Sequence, residues 1–147
     1  MMDLEKYAAL VESAIKTLGV KPEDCKGENK GQWNLVRGSA KVWVDIFLSR
    51  DNSEYGYIQI MSPICDIPED RKMEFYKELL EINHDLYGVG FTKKNDIVYI
   101  RVIRELEGIS ESEILAMLRR VGTYADDYDD YLKNKYIDNL SGGNAPQ

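Results

Sequence analysis

Only one histidine, His84, and two cysteines, Cys25 and Cys65, occur among the 147 residues. That scarcity excludes most zinc sites, which gather several such ligands, and it excludes a disulfide scaffold. Two cysteines far apart in a chain long enough for a real core read as free thiols in a reducing compartment. Basic residues are also the minority: 19 lysines and arginines against 26 aspartates and glutamates give a net charge of −7. Nucleic acid and anionic membrane surfaces both need a basic face, so neither is the expected partner. No stretch approaches the roughly 18 consecutive apolar residues of a membrane span. The opening Met1–Lys6 carries no basic run ahead of an apolar segment, so no signal peptide is read and the expected location is the cytoplasm.

The usual chemical motifs are missing as well. His84 sits beside Asp85 on a polar arc, with no serine or cysteine nucleophile nearby in sequence. Cys65 has no adjacent histidine to activate it and reads as inert packing. The cluster Asp126, Asp127, Asp129, Asp130 lacks the glycine and terminal glutamate of a calcium loop, and reads as a solvated acidic face. Gly88-Val89-Gly90 has no third glycine and no following helix, so it is a turn rather than a dinucleotide fingerprint. The expectation is a protein without enzymatic activity, cofactor or metal.

What is present is pattern. Apolar residues make up 44% of a chain near the commonest domain size, enough for one packed core. Leu4, Tyr7, Ala8, Val11, Ala14, Ile15 and Leu18 recur at steps of three and four, one stripe of an amphipathic helix that Gly19 ends. The period then changes to two. Gln32 to Arg37 is a strand candidate, turning at Gly38-Ser39 into Ala40 to Leu48, where Ala40, Val42, Val44, Ile46 and Leu48 share a face. Tyr55 to Met61 is a third strand, ended by Pro63, and the three form an antiparallel meander. Pro68 pre-sets a second helix through Tyr87. Strands over Tyr87–Lys93 and Ile97–Arg104 follow, joined by Lys94-Asn95-Asp96. Ser110 with Glu113 makes a capping box for a last helix, whose Ile114, Leu118, Val121, Ala125, Tyr128 and Leu132 alternate steps of four and three. The order is α-β-β-β-α-β-β-α, an α+β domain over residues 1–140 with helices on one face of a five-stranded antiparallel sheet. Residues 141–147, with no apolar payload, read as a flexible tail.

Two places hold more apolar surface than one core needs. The second helix carries Phe75, Leu79, Ile82 and Leu86 on one stripe and Met73, Tyr76, Leu80, Asn83 and Tyr87 on the next. Either the helix sinks between its own neighbours, or Phe75, Tyr76, Leu79, Leu80, Ile82 and Leu86 supply an isologous dimer seam. The sheet raises the same question. Opposite the aliphatic face of the second strand stand Lys41, Trp43, Asp45 and Phe47, joined by Trp33, Leu35, Tyr57, Gln59 and Met61 of its neighbours. Trp, Tyr and Met mixed with single charges mark a surface that a partner sometimes buries. Trp33, Trp43, Phe47, Tyr57 and Met61 are therefore the candidate client-binding residues, the client lying over that face or along a strand edge.

The runs Trp33-Asn34-Leu35, Ala40-Lys41-Val42-Trp43-Val44, Tyr57 to Ile64 and Leu79-Leu80-Glu81-Ile82-Asn83 resemble the YbjN-type family of small bacterial proteins. The strand Val98-Tyr99-Ile100-Arg101 and the helix segment Ala125-Asp126-Asp127-Tyr128 continue the likeness, which spans roughly residues 30–137. That family resembles type III secretion chaperones in fold. The resemblance implies a small acidic homodimer that holds an extended stretch of another protein, with the middle helix at the dimer contact and no catalysis. The competing expectation is a sensory transduction regulator that docks to a regulatory protein and does no chaperoning.

Overall fold

The last helix begins where its capping residues place it. The Ser110 hydroxyl accepts from the Glu113 N–H at 3.2 Å, and Glu113 Oε1 accepts from the Ser110 N–H at 3.2 Å. In this computed structural model, which describes residues 1–138 and 145–146, that helix is α3, Glu111–Leu132. Ahead of it come α1 (Leu4–Thr17), β1 (Gln32–Arg37), β2 (Ala40–Leu48), β3 (Gly56–Asp66), α2 (Lys72–Asp85), β4 (Gly90–Lys94) and β5 (Ile97–Glu105). The expected element order is the observed one. The strands form one five-stranded antiparallel sheet in the order β1-β2-β3-β5-β4. Apart from residues 145–146, the expected tail at 141–147 lies outside the described residues.

Alternation along the strands builds the core. Val42, Val44 and Ile46 of β2, Ile58, Ile60 and Ile64 of β3, and Val98 and Ile100 of β5 are buried toward the helices. Val11, Ala14 and Ile15 of α1 meet them, with Ile114, Leu118, Val121, Ala125 and Leu132 of α3. The helix α3 runs across β1, β2, β3 and β5, while α2 sits at the β4 end of the sheet. Among the described residues no helix packs on the opposite face of the sheet.

Several boundaries differ from the sequence expectation. The second helix ends at Asp85 rather than Tyr87, because Leu86 turns to extended backbone, and the fourth strand begins at Gly90 rather than Tyr87. The third strand does not end at Pro63 but continues to Asp66. Its pairing with β2 stops at Trp43↔Met61, so Pro63 lies where β3 is bonded to β5 alone, beside a register shift between Pro63 and Cys65. A missing N–H costs nothing on such a one-sided stretch. The second helix starts at Lys72, not Pro68, because Arg71 takes a left-handed turn at φ 59°. There its guanidinium donates to the Lys135 carbonyl and lies 4.8 Å from the Tyr136 ring centroid.

The acidic cluster also differs. Asp127 and Asp130 are exposed, but Asp129 is only 2% exposed. The Ser39 hydroxyl donates to Asp129 Oδ2 at 2.6 Å, and the Ser39 N–H donates to Asp126 Oδ1 at 3.0 Å. These Ser39 bonds, with Arg37 nearby, hold the Asp126 carboxyl below its ordinary range. At Gly38 (φ 57°) a Cβ would fall 2.3 Å from an Asp126 oxygen, so only glycine lets the β1–β2 turn press against α3. Half of the cluster is therefore a clamp between sheet and helix.

Candidate protein-binding surface

Register decides which side chains share the open face. Phe47 stands opposite Tyr57, Asp45 opposite Gln59 and Trp43 opposite Met61; across β5 the row continues through Glu105, Ile103 and Arg101. Phe47 and Tyr57 stack with centroids 6.1 Å apart and planes at 28°, and Trp43 leans on Tyr99 at 6.3 Å and 52°. Trp43, Phe47, Tyr57 and Met61 are half-buried by one another, yet none belongs to the core or to the partly buried shell against it. Between the aromatic pairs lies a polar band in which Arg101 Nε donates to Gln59 Oε1 at 2.5 Å. Burial pushes the Asp45 carboxyl above its ordinary value, against the opposing effect of a hydrogen bond from Gln32.

Trp33 does not belong to this surface. It is 3% exposed, paired with the core residue Val44, and donates its indole N–H to Glu12 Oε2 of α1 at 3.3 Å. Leu35 faces the core in the same way, opposite Val42. The two-residue turn at Gly38-Ser39 pairs Arg37 with Ala40, which puts odd-numbered β1 residues opposite the even-numbered core residues of β2.

The two stripes of α2 also separate. Phe75 (0% exposed) and Leu79 are buried inside the protomer, Phe75 with its ring edge-on to Tyr136 at 4.9 Å. Ile82, Leu86 and Tyr76 are partly buried against the same core. Phe75 and Leu79 are thus corrected from seam to core. The outer stripe stays bare: Met73 is 80%, Leu80 71% and Tyr87 76% exposed. The helix is held in this orientation by Glu78, which accepts from the hydroxyls of Tyr131 and Tyr136 and from Lys135 Nζ at 2.9 Å. Burial alone would raise the Glu78 carboxyl, but these three donors outweigh it and hold the group below its ordinary value.

The family model of YbjN, described as "Putative bacterial sensory transduction regulator", matches residues 7–134. The chain belongs to the YbjN family. Its fold is that of the type III secretion chaperones. A chain from the crystal structure of the ExsC–ExsE complex is similar at 14% identity and a TM-score of 0.63, over 89% of this chain and 97% of that one. A chain from the HopA1–SchA chaperone–effector complex is similar at 9% identity and a TM-score of 0.61, over 88% and 99%. At such identities the likeness is one of fold. No curated protein matches the sequence.

On this YbjN scaffold the strand edges are less available than the open face. The outer edge of β1 is partly taken, since the Asn34 N–H donates to the Cys25 carbonyl at 2.6 Å and the Gly27 N–H to the Gln32 carbonyl at 2.7 Å. On β4, Asn83 accepts from the Phe91 N–H at 2.6 Å and donates to its carbonyl at 3.3 Å. Two adjoining grooves flank α1, one of about 510 Å³ at Glu12 and Trp33 and one of about 560 Å³ at Leu4, Ile46 and Leu48. No periodicity marks them, because they arise where the loop ahead of β1 leaves the helix. His84 is exposed, and burial pushes the Cys65 thiol up to about 12. No group of three or more potential metal ligands occurs among the described residues, and no helix among them is long and apolar enough to cross a membrane.

Proposed function

We propose that this YbjN-family chain is a non-enzymatic cytoplasmic homodimer that holds an extended segment of a client protein across its open sheet face. The observation that carries the reading is the open face itself. Trp43, Phe47, Tyr57 and Met61 form a half-buried patch that the protomer's own core does not use. Aromatic and methionine side chains of this kind contribute most of the energy at protein interfaces while tolerating varied partners. The solved complexes of similar fold each pair two different proteins, which supports a protein as the occupant. The dimer is the second half of the proposal. Met73 and Leu80 are seven residues apart on one bare line of α2, with exposed Tyr87 just beyond its end, and a self-complementary contact between two copies would bury them.

The two halves are tested separately. Light scattering at micromolar concentration is expected to return a dimer for the parent chain and a monomer for Leu80→Glu. A parent monomer overturns the seam. Trp43→Asp is expected to abolish capture of protein from the native cell while leaving the dimer intact; a variant that captures the same proteins overturns the surface. The family description favours a second reading, in which the occupant is a regulatory protein rather than a secreted client. The identity of the captured protein decides between them, a regulator or sensor component against a secreted substrate.

A further inference from the structure

A small pocket of about 180 Å³ opens on the exposed sheet face, among Gln32, Asn34, Trp43, Asp45, Gln59 and Met61. We infer that this pocket selects one basic side chain, arginine or lysine, from the segment bound there; the inference rests on the open-face reading and adds a specificity to it. Asp45 is half-buried, and no lysine or arginine forms an ion pair with it among the described residues. Arg101, a cation on the same face, is held by Gln59 Oε1 instead. A carboxylate that has lost part of its water without gaining a cation is costly in the free protein, and an incoming cation recovers that cost. The rest of the lining suits the same ligand. Trp43 offers an indole face for a cation, Met61 a polarizable flank, and the Asn34 amide a further oxygen acceptor. The net charge of −7 draws basic segments toward the protein, and Asp45, the carboxylate that lines the pocket, gives that general attraction a fixed point.

The test uses the full chain and a pair of extended heptapeptides of alternating serine and valine, one with a central arginine and one with citrulline, its neutral isostere. Binding is followed by the indole N–H resonance of Trp43, distinguished from that of Trp33 by the spectrum of Trp43→Phe. The arginine peptide is expected to bind about tenfold more tightly than the citrulline peptide, the worth of a hydrogen bond to a charged group. In Asp45→Asn the two peptides are expected to bind alike. Equal binding to the parent overturns the basic-pocket inference and leaves the open-face reading standing. An arginine preference that survives in Asp45→Asn shows only the general charge attraction and overturns the inference too. If neither peptide moves the Trp43 signal, the open-face reading falls with it. Should Asp45→Asn fail to fold, Trp43→Leu keeps the carboxylate and removes the ring, and the arginine preference, read for this variant by titration calorimetry, must then shrink.

Discussion

The same three central strands present two unlike surfaces. Toward the helices, β2, β3 and β5 offer Val42, Val44, Ile46, Ile58, Ile60, Val98 and Ile100, all aliphatic and all buried. Away from them, the intervening residues are Trp43, Asp45, Phe47, Tyr57, Gln59, Met61, Tyr99 and Arg101. A period of two lets one backbone carry both sets without compromise, because a substitution on one face leaves the other unchanged. The difference teaches a division of labour. The aliphatic face holds the fold together, and the mixed face is free to be sticky, wet and charged. Folding energy and recognition can then be altered independently.

The sharpest way to break this division is to compare neighbours. Ile60 points inward and is fully buried, whereas Met61 points outward and is half-buried. Ile60→Ala is expected to cost about 2–5 kcal/mol in urea unfolding, the range for emptying an aliphatic core position. Met61→Ala should change stability by no more than about 1 kcal/mol, as a substitution outside the core does. Equal losses at the two positions would mean that the outer face is a second core and that the contrast is mistaken.

A smaller effect is expected at Glu78, where α2 is tied to the end of α3. Its folded-state pKa is depressed by Tyr131, Tyr136 and Lys135 despite burial. A depressed acid contributes stability that is present above its unfolded pKa and is lost as pH falls through its folded pKa. Glu78→Gln should therefore lose about 1 kcal/mol at neutral pH, from weakened hydrogen bonds to a charged acceptor. The gap to the parent should narrow steadily in acid. A gap that is constant with pH would assign the tie to shape rather than charge. If the dimer seam is the outer stripe of α2, Glu78→Gln should also loosen it, since Met73 and Leu80 ride on the helix that Glu78 holds.

The fold was largely legible because its elements carry unambiguous periods. β1 and β2 begin and end where their alternation and the Gly38-Ser39 turn put them, and α3 starts at its capping box. The errors fall where tertiary contacts override local pattern. Pro63 reads as a strand end until the parting of β2 from β3 removes the need for its N–H. Asp129 reads as solvated until Ser39 arrives from the far end of the sheet. Trp33 is a different kind of error, since counting pairs outward from the two-residue turn places it opposite Val44 and on the core face. In α2 the two stripes were visible, but which one faced inward was not, because both are apolar and the choice is made by the Tyr136 ring and the Glu78 donors. The grooves beside α1 have no sequence signature, since loop path rather than period creates them.

The finest test of the two-face contrast is a change that should help folding while harming recognition. Asp45 has a folded-state pKa raised by burial, with Gln32 opposing, and Gln59 and Arg101 stand on the neighbouring strands. An acid with a raised pKa adds stability below its unfolded value and loses it as pH rises through the folded one. At neutral pH the charged Asp45 is thus a small burden on the free protein. Asp45→Asn should be at least as stable as the parent there, by no more than about 1 kcal/mol. The parent should recover that difference as pH falls through the folded pKa of Asp45. A residue kept for folding would show the opposite sign, with Asp45→Asn losing stability at neutral pH. That outcome would move Asp45 from the recognition face to the list of structural tethers, and would leave the pocket on the open face with no charge set apart for a partner.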